Sequence, residues 1–221
     1  MTSQYKEYGF ADASESHMHG RFMPHVVALA DTLAPGMRVL DVGCGNGAAC
    51  GEFIRHGCKV VGIDLSEQGI TWARRTYPSG RFEILAADEQ ILDRLEELAF
   101  DLVISTEVVE HLYAPREWAA GCFHALRPGG QLICTTPYHG YLKNLVLSLL
   151  GKWDSHMSPL WDGGHIKLWS RRTLACLLGQ AGFTGLSFRG AGRLPYLWMT
   201  MVTGAHRPLT EPSKASVLLR P

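Results

Sequence analysis

The stretch that most constrains the fold is residues 37–47, which read MRVLDVGCGNG. It starts as a short apolar run with one acid, Asp41, and it closes with three glycines: Gly43, Gly45 and Gly47. A continuous apolar run is typical of a buried parallel strand, and glycines allow a sharp turn and a close approach of the backbone to a ligand. Residues 48–56 then have the pattern of a helix start. The segment therefore predicts a strand, a glycine-rich turn and a helix, which together bind nucleotide-like ligands at the carboxyl end of a sheet.

The glycine pattern by itself fits two kinds of ligand. Gly43, Gly45 and Ala48 satisfy the G-x-G-x-x-A fingerprint of dinucleotide sites, although a single match of this kind is weak evidence. Asp41 lies within the strand, where a pyrophosphate group has little use for a carboxylate. A positively charged ligand would be attracted by it. The acid therefore favours a cationic ligand over a dinucleotide.

A second acid closes the next predicted strand, residues 59–63 (KVVGI). Asp64 follows Asp41 at close to the offset of about 20 residues at which an acid meets ribose hydroxyls. A carboxylate there accepts two charge-assisted hydrogen bonds. The alternative is that Asp64 only caps the helix that starts at Ser66, which Ser66 could do unaided.

Residues 82–86 (FEILA) predict a third strand, and Ala87, Asp88 and Glu89 follow it. Asp88 is therefore expected either to contact a ligand at the strand end or to cap the next helix.

The second informative stretch, residues 106–112 (TEVVEHL), follows a fourth predicted strand at residues 100–105. On a helix, Glu107, Glu110 and His111 would lie on one face. Two carboxylates and an imidazole can bind a divalent cation, or His111 can act as a general base without a metal. A third possibility is that Glu110 and His111 form a structural pair that positions the turn. The residues alone leave all three open.

Several motifs, in this order along the chain, resemble those of class I S-adenosylmethionine (SAM) methyltransferases. The D-x-G-x-G-x-G string at residues 41–47 resembles their motif I, and LRPGG at residues 126–130 resembles their L-x-P-G-G turn. EVVEHL at residues 107–112 and GHIKLWS at residues 164–170 are similar to stretches of the ubiquinone-pathway catechol O-methyltransferases. The resemblance covers roughly residues 36–205. It implies an α/β, Rossmann-like doubly wound sheet of seven strands, with the last strand antiparallel and helices on both faces.

The resemblance also implies a SAM site. The methionine end of SAM is expected on Asp41 and the glycine turn, the ribose on Asp64, the adenine on Asp88, and the sulfonium region near Glu107. The full set of cofactor contacts implied by the resemblance is Asp41, Gly43, Cys44, Gly45, Gly47, Asp64, Leu65, Ala87, Asp88, Glu89, Thr106 and Glu107.

The implied reaction moves a methyl group to a small-molecule acceptor, with a phenol or catechol oxygen as the first candidate. His111 is the first candidate for deprotonating or orienting that oxygen, and His139 and His165 come next. In the ubiquinone-pathway enzymes E-x-x-E-H is linked to dependence on a divalent metal, although many other methyltransferases carry it without one. A magnesium, manganese or zinc ion on Glu107, Glu110 and His111 is therefore one of the expectations.

We expect one methyltransferase domain at residues 36–205. An N-terminal arm and helix that cover the site (residues 1–35) precede it, and a flexible tail (residues 206–221) follows it.

The alternation of strands and helices stops at residues 138–169, an insertion rich in aromatic residues that we expect to be a lid over the substrate. An apolar stripe in the insertion favours a lid, with contact to a membrane surface as the alternative. The stripe comprises Leu142, Leu145, Val146 and Leu149. The residues expected to line an acceptor pocket are His139, Trp161, Asp162, His165 and Lys167.

The amino-acid composition limits the classes of partner that the protein is expected to bind. Lys plus Arg and Asp plus Glu are 21 each, which argues against a nucleic-acid partner. The six cysteines form no C-x-x-C pair and are expected as free thiols in a reducing cytoplasm. A polar start and the lack of an apolar run of about 18 residues predict a soluble chain.

The rival functions are an N- or C-methyltransferase, an NAD-dependent oxidoreductase and a non-catalytic SAM-binding subunit. The sequence indicates no oligomeric state.

Overall fold

The computed structural model describes residues 9–10, 12, 14, 18–31, 33–157, 159–161 and 164–210 of the chain. The strands of this part are β1 (Arg38–Val42), β2 (Lys59–Asp64), β3 (Arg81–Ile84), β4 (Phe100–Thr106), β5 (Leu126–Pro137), β6 (Thr184–Ala191) and β7 (Thr200–His206). They form one seven-stranded sheet in the order β3-β2-β1-β4-β5-β7-β6. The first five strands are parallel, and β7 runs antiparallel to both of its neighbours. The predicted fold, with its antiparallel last strand, is confirmed.

Helices cover both faces of the sheet. They are α1 (His19–Leu29), α2 (Ala48–Arg55), α3 (Glu67–Thr76), α4 (Ile91–Leu95), α5 (Pro115–Ala125), α6 (Tyr141–Leu149), α7 (Trp153–Met157) and α8 (Arg171–Gln180). One apolar cluster joins the sheet to α1, α2 and α3, with Phe53 and Ile70 fully buried. The other joins it to α4, α5 and α8 around the fully buried Trp118 and Leu178. No described helix is long and apolar enough to cross a membrane.

Two strand boundaries differ from those that the sequence predicts. The sequence predicts the last strand near residues 196–202, but β7 begins at Thr200, and Tyr196 ahead of it has a left-handed backbone with a φ of 66°. We expected residues 127–130 to form a turn before a strand at 131–135, but β5 already begins at Leu126. Residues 127–130 bulge out of this strand, with Gly129 at a φ of 76°. The proline and glycines of this segment predict a turn, whereas pairing with β4 determines that β5 already begins at Leu126.

The topology places the predicted site residues at one edge of the sheet. β1, β2, β4 and β5 are parallel, so their carboxyl ends lie at the same edge. The glycine turn follows β1, Asp64 ends β2, Glu107 follows β4 and Tyr138 follows β5.

Candidate active site

The glycine turn is built from left-handed backbone. Gly43, Gly45 and Gly47 have φ angles of 82°, 52° and 81°, which strain residues with a Cβ atom. A Cβ atom on Gly43 would overlap the side chain of Val108. The turn after β1 therefore packs directly on the turn after β4, and glycine is what allows the two to meet.

The N-terminal arm also reaches the glycine turn. The Asn46 side chain donates hydrogen bonds to the backbone oxygens of Asp12 and Ser14, at 3.0 and 2.9 Å. The ring of Phe10 lies where a Cβ atom of Gly45 would be. The sequence analysis did not single out Asn46, because it occupies a variable position of the motif. Helix α1 itself packs on the sheet, where Gln131 donates a hydrogen bond to Leu29 O at 2.9 Å.

Asp64 joins the glycine turn to the start of α3. Its two carboxylate oxygens each accept a backbone N–H at 2.8 Å, one from Gly45 and one from Ser66. Ser66 caps α3, since its hydroxyl oxygen accepts the N–H of Gly69 at 2.8 Å. The helix therefore does not need Asp64 as its cap.

Asp41 is a fully buried carboxylate beneath the turn. Its Oδ2 accepts a hydrogen bond from Cys50 Sγ at 3.2 Å, and among the described residues its Oδ1 has no hydrogen-bond partner. Burial raises the pKa of Asp41 to about 7, and the charge of Asp64 adds a smaller increase. An orphaned buried carboxylate fits a site that receives a cation, because the cation would compensate the desolvated charge.

Asp88 is engaged within its own segment. Its carboxylate accepts the N–H of Gln90 at 2.9 Å, just before α4, and forms an ion pair with Arg94 at 2.9 Å. The contact with Gln90 closes a local turn ahead of the helix and is not its cap, because the N-cap residue of α4 is Gln90 and has no side-chain capping hydrogen bond. The adenine contact of Asp88 stays a prediction. The other residues of the predicted cofactor set differ in exposure. Cys44 is buried against Gly62, Ala87 and Thr106 are half-buried, and Leu65 and Glu89 are exposed.

The turn after β4 does not form the predicted helical face. Glu107 has a left-handed backbone with a φ of 55°, and only Val109–His111 form a short 3-10 helix. Thr135 on β5 holds Glu107 in place. The Glu107 N–H donates to the Thr135 hydroxyl at 3.0 Å, and that hydroxyl donates to Glu107 Oε1 at 2.8 Å. The predicted helix over these residues is therefore wrong, whereas a metal-binding role of Glu107 stays a prediction.

His165 takes the place expected for Glu107 beside Glu110 and His111. One ligand atom from each of Glu110, His111 and His165 lies within 4.8 Å of the other two. The loop that carries His165 is tied to the turn, because the N–H groups of Ile166 and Lys167 both donate to Glu110 O, at 3.0 and 3.1 Å. A carboxylate and two imidazoles suit a divalent transition metal or zinc.

Glu110 is 1% exposed, and within the described chain neither of its carboxylate oxygens has a hydrogen-bond partner. Burial raises its pKa well above the usual range, and the charge of Glu107 acts in the same direction. Burial also raises the pKa of Glu107, to about 7. Two orphaned buried oxygens fit the carboxylate of a cation site.

The charge of Lys143 acts on the two other histidines predicted as candidates, His139 and His165. His139 is 5% exposed, its Nδ1 lies 3.2 Å from Asn144 Oδ1, and its Nε2 has no hydrogen-bond partner among the described residues. Burial, with the charge of Lys143, lowers the pKa of His139 to about 4. The pKa of His165 is lowered to about 4, mainly by burial. Both imidazoles are therefore neutral near neutral pH.

Helix α6 faces the opposite way from what its apolar stripe suggests. Leu142, Leu145 and Leu149 are 43%, 39% and 76% exposed, whereas Lys143 is 6% exposed. No motif of the sequence singles out Lys143, although its position out of phase with the leucines was a signal that it lies on another face of the helix. The stripe is exposed in this structure, and its roles as a lid or a membrane contact remain predictions.

Besides the histidines, the structure describes Trp161 and Lys167 of the residues predicted to line an acceptor pocket. The Trp161 ring packs edge-on against His111, with ring centres 6.0 Å apart. Lys167 points to the Tyr113 backbone, where its Nζ donates to Tyr113 O at 3.2 Å. Asp162 lies outside the described residues.

A protein-family model described as a methyltransferase domain matches residues 14–187. The chain belongs to the methyltransferase domain family. This confirms the class I SAM-dependent methyltransferase that the motifs indicate, with SAM as its cofactor.

Curated relatives of this methyltransferase carry the name ubiquinone biosynthesis O-methyltransferase. The one from Roseobacter denitrificans is 31% identical over 182 residues, which cover 76% of this chain and 68% of the relative. The one from Thiobacillus denitrificans is 35% identical over 170 residues and 72% of each chain. Other relatives match over a shorter part, 41% of the length of the Maricaulis maris protein.

Solved structures share the fold at low identity. Magnesium protoporphyrin IX methyltransferase from Synechocystis superimposes with a TM-score of 0.62 at 20% identity, over 84% of this methyltransferase and 80% of that chain. The cyclase SpnF gives a TM-score of 0.66 at 17% identity, over 94% of this chain and 89% of SpnF. The fold by itself thus does not specify the reaction.

Proposed function

We propose that this methyltransferase transfers the methyl group of SAM to a phenol or catechol oxygen of a small-molecule acceptor. The observation that carries the proposal is the group formed by Glu110 and His111, on the turn that packs against the glycine turn, and His165, on the loop tied to that turn. It would bring a base or a metal site next to the cofactor. The name of the relatives, O-methyltransferase, supports an oxygen acceptor.

The residues at the sheet edge fit SAM. Asp41 would compensate the charge of the methionine end, Asp64 would accept hydrogen bonds from the ribose, and Asp88 would contact the adenine. When bound, SAM supplies a methyl group on a positively charged sulfur, so the leaving group is already activated. The protein then has to align the acceptor oxygen and remove its proton.

His111 is the preferred base for that proton. A pKa of about 4 makes His139 and His165 weak bases near neutral pH. A neutral His165 is instead suited to bind a metal. If Glu110, His111 and His165 hold a divalent cation, they would orient two neighbouring hydroxyls of a catechol, and the cation would favour ionisation of the reacting one.

A methylation assay would distinguish two rival functions from this proposal. An N- or C-methyltransferase would use the same cofactor residues without a metal, and a non-catalytic SAM-binding subunit would bind cofactor without turnover. Family membership argues against the NAD-dependent oxidoreductase.

The test is methylation of a small acceptor panel with isotope-labelled SAM, read by mass spectrometry. We expect label on 4-methylcatechol and little on toluidine or an indole, with loss of activity in His111→Ala and retained binding of S-adenosylhomocysteine (SAH). Labelling of nitrogen or carbon, or full activity of His111→Ala, would contradict the proposal. Chelator and re-addition of magnesium, manganese or zinc then separate the metal-dependent from the metal-free form of the reaction.

A further inference from the structure

We propose that Lys143 binds an anionic oxygen group of the acceptor, a carboxylate or an ionised phenol. The inference deepens the proposed function and rests on it. It assigns a substrate feature to a side chain that the motifs of the chain do not cover.

The first argument is the burial of Lys143. Its side chain is 6% exposed, although it lies on a helix with three exposed leucines, Leu142, Leu145 and Leu149. Lysine is rarely buried without a partner of opposite charge, because its ammonium loses its hydration. The helix buries its one lysine while Leu142, Leu145 and Leu149 stay exposed, so it forgoes the burial of apolar surface, which indicates that the lysine is needed inside.

The second argument is the shortage of partners for the ammonium group. Within the described chain, Lys143 Nζ donates one hydrogen bond, to Met199 O at 3.3 Å, although an ammonium has three N–H groups. None of the described carboxylates lies within 4.0 Å of Nζ. Glu107 attracts Lys143 from a greater distance. Among the described residues, the ammonium therefore has no carboxylate in direct ion-pair contact.

The third argument is the charge and polarity around Lys143. The positive charge of Arg193 acts on Lys143, because it lowers the pKa of the ammonium group. A bound anion would offset this repulsion. Burial lowers the pKa of Lys143 to about 8, with a further contribution from Arg193, so the ammonium is still mostly charged near neutral pH.

Two buried imidazole nitrogens complete the surroundings. His139 Nε2 and His156 Nε2 have no hydrogen-bond partner among the described residues. Because Asn144 Oδ1 can only accept, His139 Nδ1 carries the proton and Nε2 is left as an acceptor. A cation next to a hydrogen-bond acceptor complements an aromatic ring that carries an oxyanion and a hydroxyl group.

The experiment is calorimetry on the full chain saturated with SAH, near neutral pH. The titrants are 3,4-dihydroxybenzoate for the carboxylate, 4-nitrocatechol for the ionised phenol and 4-methylcatechol as the neutral reference. We expect one of the two anions to bind at least about tenfold more tightly than the reference, a scale typical of a charge-assisted contact. Absorbance of 4-nitrocatechol shows whether it binds as the ionised form.

Variants identify the side chain responsible. Lys143→Met should remove the preference, Lys143→Arg should retain it, and the exposed Lys152→Met should leave it unchanged. Equal affinity of all three titrants in the unaltered protein, or a preference that survives in a folded Lys143→Met, would overturn the inference. Failure of SAH to bind would overturn the proposed function itself, so the two failures are distinct.

Discussion

The Asp64 carboxylate accepts a hydrogen bond from the Gly45 backbone N–H at 2.8 Å, so the acid that ends β2 also fastens the turn that follows β1. The other oxygen of Asp64 accepts the N–H of Ser66 at the same distance. One side chain therefore orders two loops at the carboxyl edge of the sheet. Its loss should loosen the cofactor site as well as remove the proposed contact with the ribose.

We predict that Asp64→Ala weakens SAH binding by about 2 kcal/mol, the scale of losing charged hydrogen bonds. Isothermal calorimetry gives the dissociation constant. The control is Asp93→Ala, an exposed acid on α4, which should leave the affinity unchanged. Equal affinity of Asp64→Ala and the unaltered protein would remove the ribose assignment.

Asp41 should release a proton when the cofactor binds. Burial raises its pKa to about 7, above its usual value of 3.8, so at about pH 6 it is protonated in the free protein. The ammonium group of SAH favours the ionised form, so SAH affinity should increase as pH rises towards 7 and then level off. The same shift predicts that the contribution of Asp41 to folding stability is complete below about pH 4 and is lost as pH rises through 7.

Calorimetry of SAH binding at about pH 6 in buffers of different ionisation enthalpy measures the released proton. We expect Asp41→Asn to abolish the release. Glu107→Gln is the matched control, because Glu107 has a similarly raised pKa but is expected near the sulfur, which is uncharged in SAH. A release that persists in Asp41→Asn would assign the proton to another group.

The cofactor edge could be predicted from sequence because its units are local. The strand, glycine turn and helix at residues 38–55 are consecutive, and the apolar run and glycines encode each part. Ser66 caps α3 as its position before the helix predicts. The alternation of strands and helices, read with the family resemblance, was enough to predict the seven-stranded sheet.

The acceptor side could not be predicted in the same way, because contacts distant in sequence determine it. Thr135 fixes the left-handed backbone of Glu107, and hydrogen bonds to Glu110 O bring the loop of His165 to the turn. Neither contact leaves a periodic pattern in the sequence. The orientation of α6 was also hidden, since its leucines have the spacing of a buried face although they are exposed.

The group of Glu110, His111 and His165 should bind a divalent metal ion in the isolated protein. After chelator treatment, titration with zinc or manganese is expected to show one site, and replacement of His111 or His165 by alanine should weaken it by about tenfold or more. His139→Ala is the control, because His139 lies outside the group. Unchanged metal affinity in His165→Ala would show that the three side chains do not act together.

The glycine turn should be intolerant of a Cβ atom at Gly43. Gly43→Ala places a methyl group against Val108 on a left-handed backbone, and we expect it to lower the free energy of unfolding by about 1–3 kcal/mol. Combining it with Val108→Ala should recover only the steric part of the lost stability, because the backbone strain at a φ of 82° remains.

Gly179→Ala is the matched control. It lies on the exposed face of α8 with open space around it, so it should stabilise the protein by about 0.5–1 kcal/mol. Denaturant unfolding of the four proteins measures these differences. Full recovery in the double variant would show that the contact with Val108, and not the backbone conformation, requires glycine at this position.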